Sequence, residues 1–96
     1  MAADPNNAVQ LIIFGWVQTV WFRNWMAGDA KSRGFDGWVR NRHEGGVEAV
    51  ISGSAREVEE MLDRCRQGPP AARVVSVTVI EWHRAASPGF LQLPTE

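Results

Sequence analysis

The hydrophobic period of this chain changes from that of a strand to that of a helix and back, and then does so a second time. Ala8–Phe14 is apolar and β-rich, as in a buried central strand. Over Trp21–Arg33 the period lengthens. Phe22, Met26 and Ala30 recur at i, i+4 and i+8 and mark one helix face, and Gly34 follows where a left-handed cap residue is wanted. Gly28 inside that helix costs about 1 kcal/mol relative to alanine, so the helix depends on packing. Phe35–Arg42 reads as a strand and His43–Gly46 as a turn. Val47, Ala49 and Ile51 alternate with Glu48, Val50 and Ser52, which completes a hairpin. Ser54 and Glu57 have the spacing of a capping box. Val58, Met61, Leu62 and Cys65 then form one apolar stripe, and Gly68-Pro69-Pro70 stops the helix. Val74–Trp82 is a β-branched fourth strand. Ser87-Pro88-Gly89 is a turn, and Phe90–Leu93 is a candidate short fifth strand.

The order β-α-β-β-α-β predicts an α+β, ferredoxin-like sandwich, with two helices on one face of an antiparallel sheet. With 96 residues the chain is expected to form a single domain over 8–94, with a frayed, polar 1–7. Ten basic residues face eleven acidic ones, for a net charge of -1, which argues against a generic nucleic-acid binder. An RNA-binding βαββαβ domain would also want an aromatic sheet strand that is not seen here. Cys65 is the single cysteine, so no internal disulfide forms. The N-terminal segment does not resemble a signal peptide, and Leu11–Phe14 is far too short to span a bilayer. A cytoplasmic monomer that touches neither membrane nor nucleic acid is the expectation.

Little of the chain carries recognisable chemistry. His43 and His83 belong to no cluster with metal-ligand spacing, and no nucleophile elbow, dinucleotide fingerprint or Walker loop is present, so neither metal nor cofactor is expected. What remains is Gly15–Arg23, a glycine-started loop between a buried strand and a helix, with an arginine in the first helical turn. The first amides of a helix have no partner within it and sit at the positive end of its dipole. Successive loop amides can wrap an anion, and a guanidinium adds a planar fork for phosphate or carboxylate oxygens. Gly15, Trp16, Val17, Gln18, Thr19 and Val20 thus form a candidate oxyanion cradle beside Arg23.

The same residues carry a family resemblance. Gly15-Trp16-Val17-Gln18-Thr19-Val20-Trp21-Phe22-Arg23 resembles the acylphosphatase signature G-x-V-Q-G-V-x-F-R. Gly34-Phe35-Asp36-Gly37-Trp38-Val39-Arg40-Asn41 resembles the second signature, G-[FYWL]-x-G-W-V-x-N. Glu44-Gly45-Gly46-Val47-Glu48 is similar to the turn and third strand that follow it, and Gln67–Val74 to the segment after the second helix. The similarity spans roughly Val9–Leu93. It implies the same fold and hydrolysis of a carboxyl–phosphate anhydride to a carboxylate and inorganic phosphate. It further implies that Arg23 and the loop amides bind the phosphoryl group and that Asn41 holds the attacking water. The expected partners are a small-molecule acyl phosphate and inorganic phosphate or similar anions.

One position departs from the pattern. Thr19 stands where the family has glycine. If the site needs positive φ, a β-branched residue is strained there by roughly 1–2 kcal/mol. If the glycine admits phosphate to the backbone, the threonine crowds it. In an ordinary β conformation Thr19 instead adds a hydroxyl donor. A non-catalytic anion-binding module, impaired by Thr19, is therefore the alternative to the enzyme. A segment of a larger carbamoyl-transfer maturation protein is a further one, disfavoured by termini that look complete. Among the remaining residues, His43 reads as a turn residue facing water, His83 as a surface residue and Cys65 as core. Arg33, Arg40 and Arg42 read as a solvated basic face able to steer anions. The tryptophans read as core and support, with Trp21 or Trp25 a candidate wall for the acyl group.

Overall fold

Two capping arrangements fix the helix ends where the sequence places them. The Glu57 amide donates to Ser54 Oγ at 3.2 Å, the capping-box bond that starts α2 (Ala55–Gln67). At the end of α1 (Val20–Ser32), Gly34 has φ +73°, the Phe35 amide donates to the Ala30 carbonyl and the Gly34 amide to that of Lys31. That pair of bonds satisfies two carbonyls that a helix otherwise leaves orphaned, and it needs the left-handed conformation that glycine tolerates best.

The computed structural model describes residues 6–16, 20–69, 72–84, 86 and 88–96. Around the helices lie β1 (Asn6–Trp16), β2 (Asp36–Asn41), β3 (Val47–Ser54), β4 (Arg73–Glu81) and β5 (Phe90–Gln92). They form one sheet in the order β4-β1-β3-β2-β5. The pairs β1–β3, β1–β4 and β2–β3 are antiparallel, whereas β5 runs parallel to β2, so the candidate fifth strand exists and makes the sheet mixed. The ferredoxin-like α+β fold is as the element order predicts.

One face of the sheet is covered by both helices. Leu11 and Ile13 of β1, Val39 of β2, and Val47 and Ile51 of β3 are fully buried against Phe22 and Met26 of α1 and Val58 and Met61 of α2. Each such side chain contributes roughly 1.5–3 kcal/mol. This burial holds α1 despite Gly28. That glycine is exposed, and a Cβ added to it meets nothing within 4 Å. Gly28→Ala is therefore expected to stabilise the protein by about 1 kcal/mol and to raise Tm by about 4–8 °C, as a thermal melt would show.

β1 is longer than its apolar run. It begins at Asn6, paired with Ser54, and not at Ala8; the fraying expected for residues 1–5 lies outside the described residues. It also continues past Phe14. A bulge shifts the β1–β4 register between Phe14 and Gly15, and Gly15 then pairs with Val74 and Trp16 with Arg73. Gly15 has φ +141°, and a Cβ there would lie 2.0 Å from the Arg73 carbonyl oxygen, so only glycine lets the chain turn this close to β4.

Candidate active site

Sheet register gathers the candidate residues at one end of the molecule. Asn41, the last residue of β2, pairs with Val47, and Val47 pairs with Ile13 near the end of β1. Asn41 thus lies level with Ile13, three residues before the end of β1. Arg23 stands in the first turn of α1, next to Phe22, whose complete burial anchors that turn to the core.

Residues 93–96, which follow β5, tie these elements together. The Leu93 amide donates to the Val39 carbonyl at 2.8 Å, while the Leu93 carbonyl accepts from Arg23 Nη1 at 3.4 Å. The Glu96 amide donates to the Asn41 carbonyl at 3.0 Å, and the Glu96 carbonyl accepts from the His43 amide at 2.7 Å. The Glu96 carboxylate pairs with Arg40 at 2.7 Å. Sequence reasoning did not find this strap. Its bonds come from main-chain groups in a parallel register with residues some fifty positions earlier, and no side-chain pattern announces them.

Among the described residues three buried side-chain polar atoms lack a hydrogen-bond partner, Trp82 Nε1 and one atom on each of two candidate site residues. Arg23 Nε and Asn41 Oδ1 are both buried without a hydrogen-bond partner among the described residues. A buried polar atom left unpaired costs about 1–3 kcal/mol, a cost that a bound partner would relieve. One is a cationic donor and the other a neutral acceptor. The donor suits an anionic oxygen, and the acceptor suits the O–H of a water.

The element bounds around the expected cradle differ from the loop that its motif suggested. Gly15 and Trp16 are ladder residues of β1 rather than the opening of a loop, and Val20 is the first residue of α1. Val17, Gln18 and Thr19 lie outside the described residues, so the three readings of Thr19 stand as they were.

The other candidates separate from the site. The basic group expected of Arg33, Arg40 and Arg42 is neutralised. Arg33 binds Asp29, Glu57 and Glu60 between the helices, at 3.2, 2.6 and 2.8 Å. Arg40 binds Glu48 at 2.9 Å, and Arg42 binds Glu44 and, at 3.4 Å, Glu48. Glu48 is buried on the sheet face away from the helices and also accepts from Gln10 at 2.6 Å; a buried carboxylate demands such partners. The expected steering face is thus two separate groups of ion pairs, one between the helices and one around Glu48, and Arg42 holds the Glu44 carboxyl below its usual range. His43 is exposed in its turn, and exposed His83 lies 3.4 Å from Glu81. Trp25 packs on Phe22 with centroids 5.5 Å apart and carries the Arg64 guanidinium on its ring, so it supports the helix pair. The side chain of Trp21 lies outside the described residues.

Cys65 is fully buried on α2, and burial pushes its thiol up to about 12. A thiol so poor in thiolate is no nucleophile. It is expected to resist a disulfide reagent at pH 8 in the native protein and to react stoichiometrically in denaturant. Rapid native labelling would show that the α2 packing is wrong.

Comparison with known proteins identifies the family. The acylphosphatase family model matches residues 9–90. The chain belongs to the acylphosphatase family. An acylphosphatase of Rhizorhabdus wittichii is 50% identical over 95 residues, covering 98% of this chain and 96% of that protein. Among solved structures, an acylphosphatase from Coxiella burnetii superposes with a TM-score of 0.86 at 27% identity, over 92% of this chain and 93% of that one. An acylphosphatase from Bacillus subtilis gives 0.83 at 28% identity, over 90% and 97%. Among the described residues of this acylphosphatase, no helix is long and apolar enough to cross a membrane.

Proposed function

We propose that this acylphosphatase hydrolyses the carboxyl–phosphate bond of a small acyl phosphate by holding the phosphoryl group with Arg23 and the amides of Trp16–Val20, while Asn41 orients the attacking water. Acyl-phosphate hydrolysis is the activity of the family to which the chain belongs. The observation that supports these roles is the paired orphans, Arg23 Nε and Asn41 Oδ1, at the same end of the sheet.

The chemistry asks for little else. A carboxylate leaves readily, so no general acid is needed. The phosphoryl group passes through a loose transition state, where positioning and charge stabilisation dominate. The water oxygen bonds to phosphorus as the bond from phosphorus to the acyl oxygen breaks. The electron pair leaves with the carboxylate, and the water proton goes to a phosphoryl oxygen of the substrate. Asn41 cannot take that proton, but Oδ1 can accept a water O–H and fix the line of attack. Arg23 presents fixed donors to the equatorial oxygens, and the first amides of α1 add the positive end of the helix dipole. Leu93 holds one guanidinium nitrogen and sets the tilt of the group. The cytoplasm is the compartment we assign, in keeping with a lone, buried thiol.

The test is hydrolysis of benzoyl phosphate with chelator present, for wild type and Thr19→Gly, with inorganic phosphate as a competitor. Chelator-resistant turnover inhibited by phosphate is expected. Turnover only in the glycine variant would mean that Thr19 obstructs the cradle. A folded wild type that binds phosphate without turnover would make the chain a binding module.

A further inference from the structure

A charged residue is buried on the face of the sheet that no helix covers. Glu48, in β3, is only 5% exposed. Taking a carboxylate out of water is costly, and an apolar side chain in its place is often as stable or more so, which makes stability a weak reason for its presence. Its partners point to a different use. Oε1 accepts from Arg40 Nε at 3.0 Å and from Arg40 Nη2 at 2.9 Å, and Arg42 Nη1 stands 3.4 Å from the same oxygen. Oε2 accepts from Gln10 Nε2 at 2.6 Å. The Arg40 guanidinium also lies over the Trp38 ring, 4.7 Å from its centroid, a further hold on the same group.

The two arginines flank Asn41 in the chain. Directly opposed ladder residues share a face of the sheet. Arg40 is opposite Glu48, on the open face, whereas Asn41 is opposite Val47, which is fully buried in the core under the helices. Asn41 therefore stands on the same side of the sheet as α1 and Arg23, and Glu48 grips its two neighbours from the other side. A second connection runs through the strap. Arg40 Nη1 donates to Glu96 Oε1 at 2.7 Å, and the Glu96 amide donates to the Asn41 carbonyl at 3.0 Å. With both neighbours held and its own carbonyl tied, the main chain at Asn41 resists rolling about the strand axis. Asn41 Oδ1 has no partner among the described residues, so its aim depends on that backbone. We propose, resting on the water-orienting role given to Asn41 above, that Glu48 is a positioning residue for the reaction. By clamping Arg40 and Arg42 on the open face, it fixes the direction in which Asn41 presents Oδ1 to the attacking water on the opposite face.

A double-mutant cycle tests it. The kcat for benzoyl phosphate and the competition constant of inorganic phosphate are measured for wild type, Glu48→Gln, Asn41→Ala and E48Q/N41A, well below the Tm of each. Glutamine keeps the shape of the side chain and removes the charge that both guanidinium groups face. Glu48→Gln is expected to lower kcat about 10-fold and to leave the phosphate constant within about 2-fold of wild type, the effect of a misaimed water beside an intact phosphate site. In the Asn41→Ala background the same exchange is expected to change kcat by less than about 2-fold, because no side chain is left to aim. A generally loosened fold would act alike in both backgrounds. If Glu48→Gln does not fold, Arg40→Met cuts the same clamp from its partly exposed side and goes through the same cycle with the same expectation. Wild-type kcat in Glu48→Gln beside a lowered kcat in Asn41→Ala overturns the positioning role alone. An equal loss in both backgrounds, or a raised phosphate constant, overturns it as well. An Asn41→Ala variant with wild-type kcat overturns the role of Asn41 and the positioning role with it.

Discussion

Arg23→Ala is expected to lower kcat/KM for benzoyl phosphate by about 10²–10³-fold or more, the loss seen when one preorganised oxyanion donor is removed. The competition constant for inorganic phosphate should rise as well, because in the proposed mechanism the guanidinium binds the group that substrate and product share. Folding should survive. The variant loses one long hydrogen bond to Leu93, at 3.4 Å, and also removes the orphaned Nε. The two effects oppose each other, so the net change in stability should stay within about 1 kcal/mol. Arg23→Lys should not restore activity, since an ammonium is a point charge and lacks the planar fork. Paired kinetics and urea melts measure both quantities. An alanine variant that keeps its turnover would remove Arg23 from the mechanism.

Asn41→Ala should separate catalysis from binding. Its kcat is expected to fall about 10²-fold, the scale of losing a positioned nucleophile, while phosphate competition stays near wild type. Its Tm should be equal to or above that of the parent, because the alanine abolishes a buried acceptor without a partner among the described residues. The main-chain bond from the Glu96 amide to the Asn41 carbonyl does not need the side chain and should remain. A variant with unchanged kcat, or one that loses stability through a missing side-chain bond, would show that Asn41 is a structural residue.

What the sequence made legible was what depends on neighbours in the chain. Ser54 and Glu57 cap α2 because the bond spans one turn, and Val58, Met61, Leu62 and Cys65 are buried because one period sets them on one stripe. Arg23 and Asn41 were found through long motifs, each contained within one stretch of chain. Where partners are distant, the pattern fell short. Arg40 and Arg42 looked solvated because nothing near them in sequence resembles a buried carboxylate, and Glu48 becomes one only when β3 lies between β1 and β2. The far end of β1 was misplaced at Phe14, since an exposed aromatic and a glycine resemble a strand end until β4 pairs with them across a bulge. The parallel course of β5 rests on main-chain bonds alone.

The strap formed by residues 93–96 bears on when the enzyme becomes competent. Arg23 and Leu93 are 70 positions apart, and Arg40 and Glu96 are 56 apart. Contacts of such separation close late, because the entropy of the intervening chain must be lost before they give anything back. A nascent or refolding chain can therefore complete both helices and the central strands while the arginine still lacks the carbonyl that tilts it. Recovery of turnover should lag behind recovery of helical signal, and hydrolysis then reports the arrival of the last segment rather than the formation of the core.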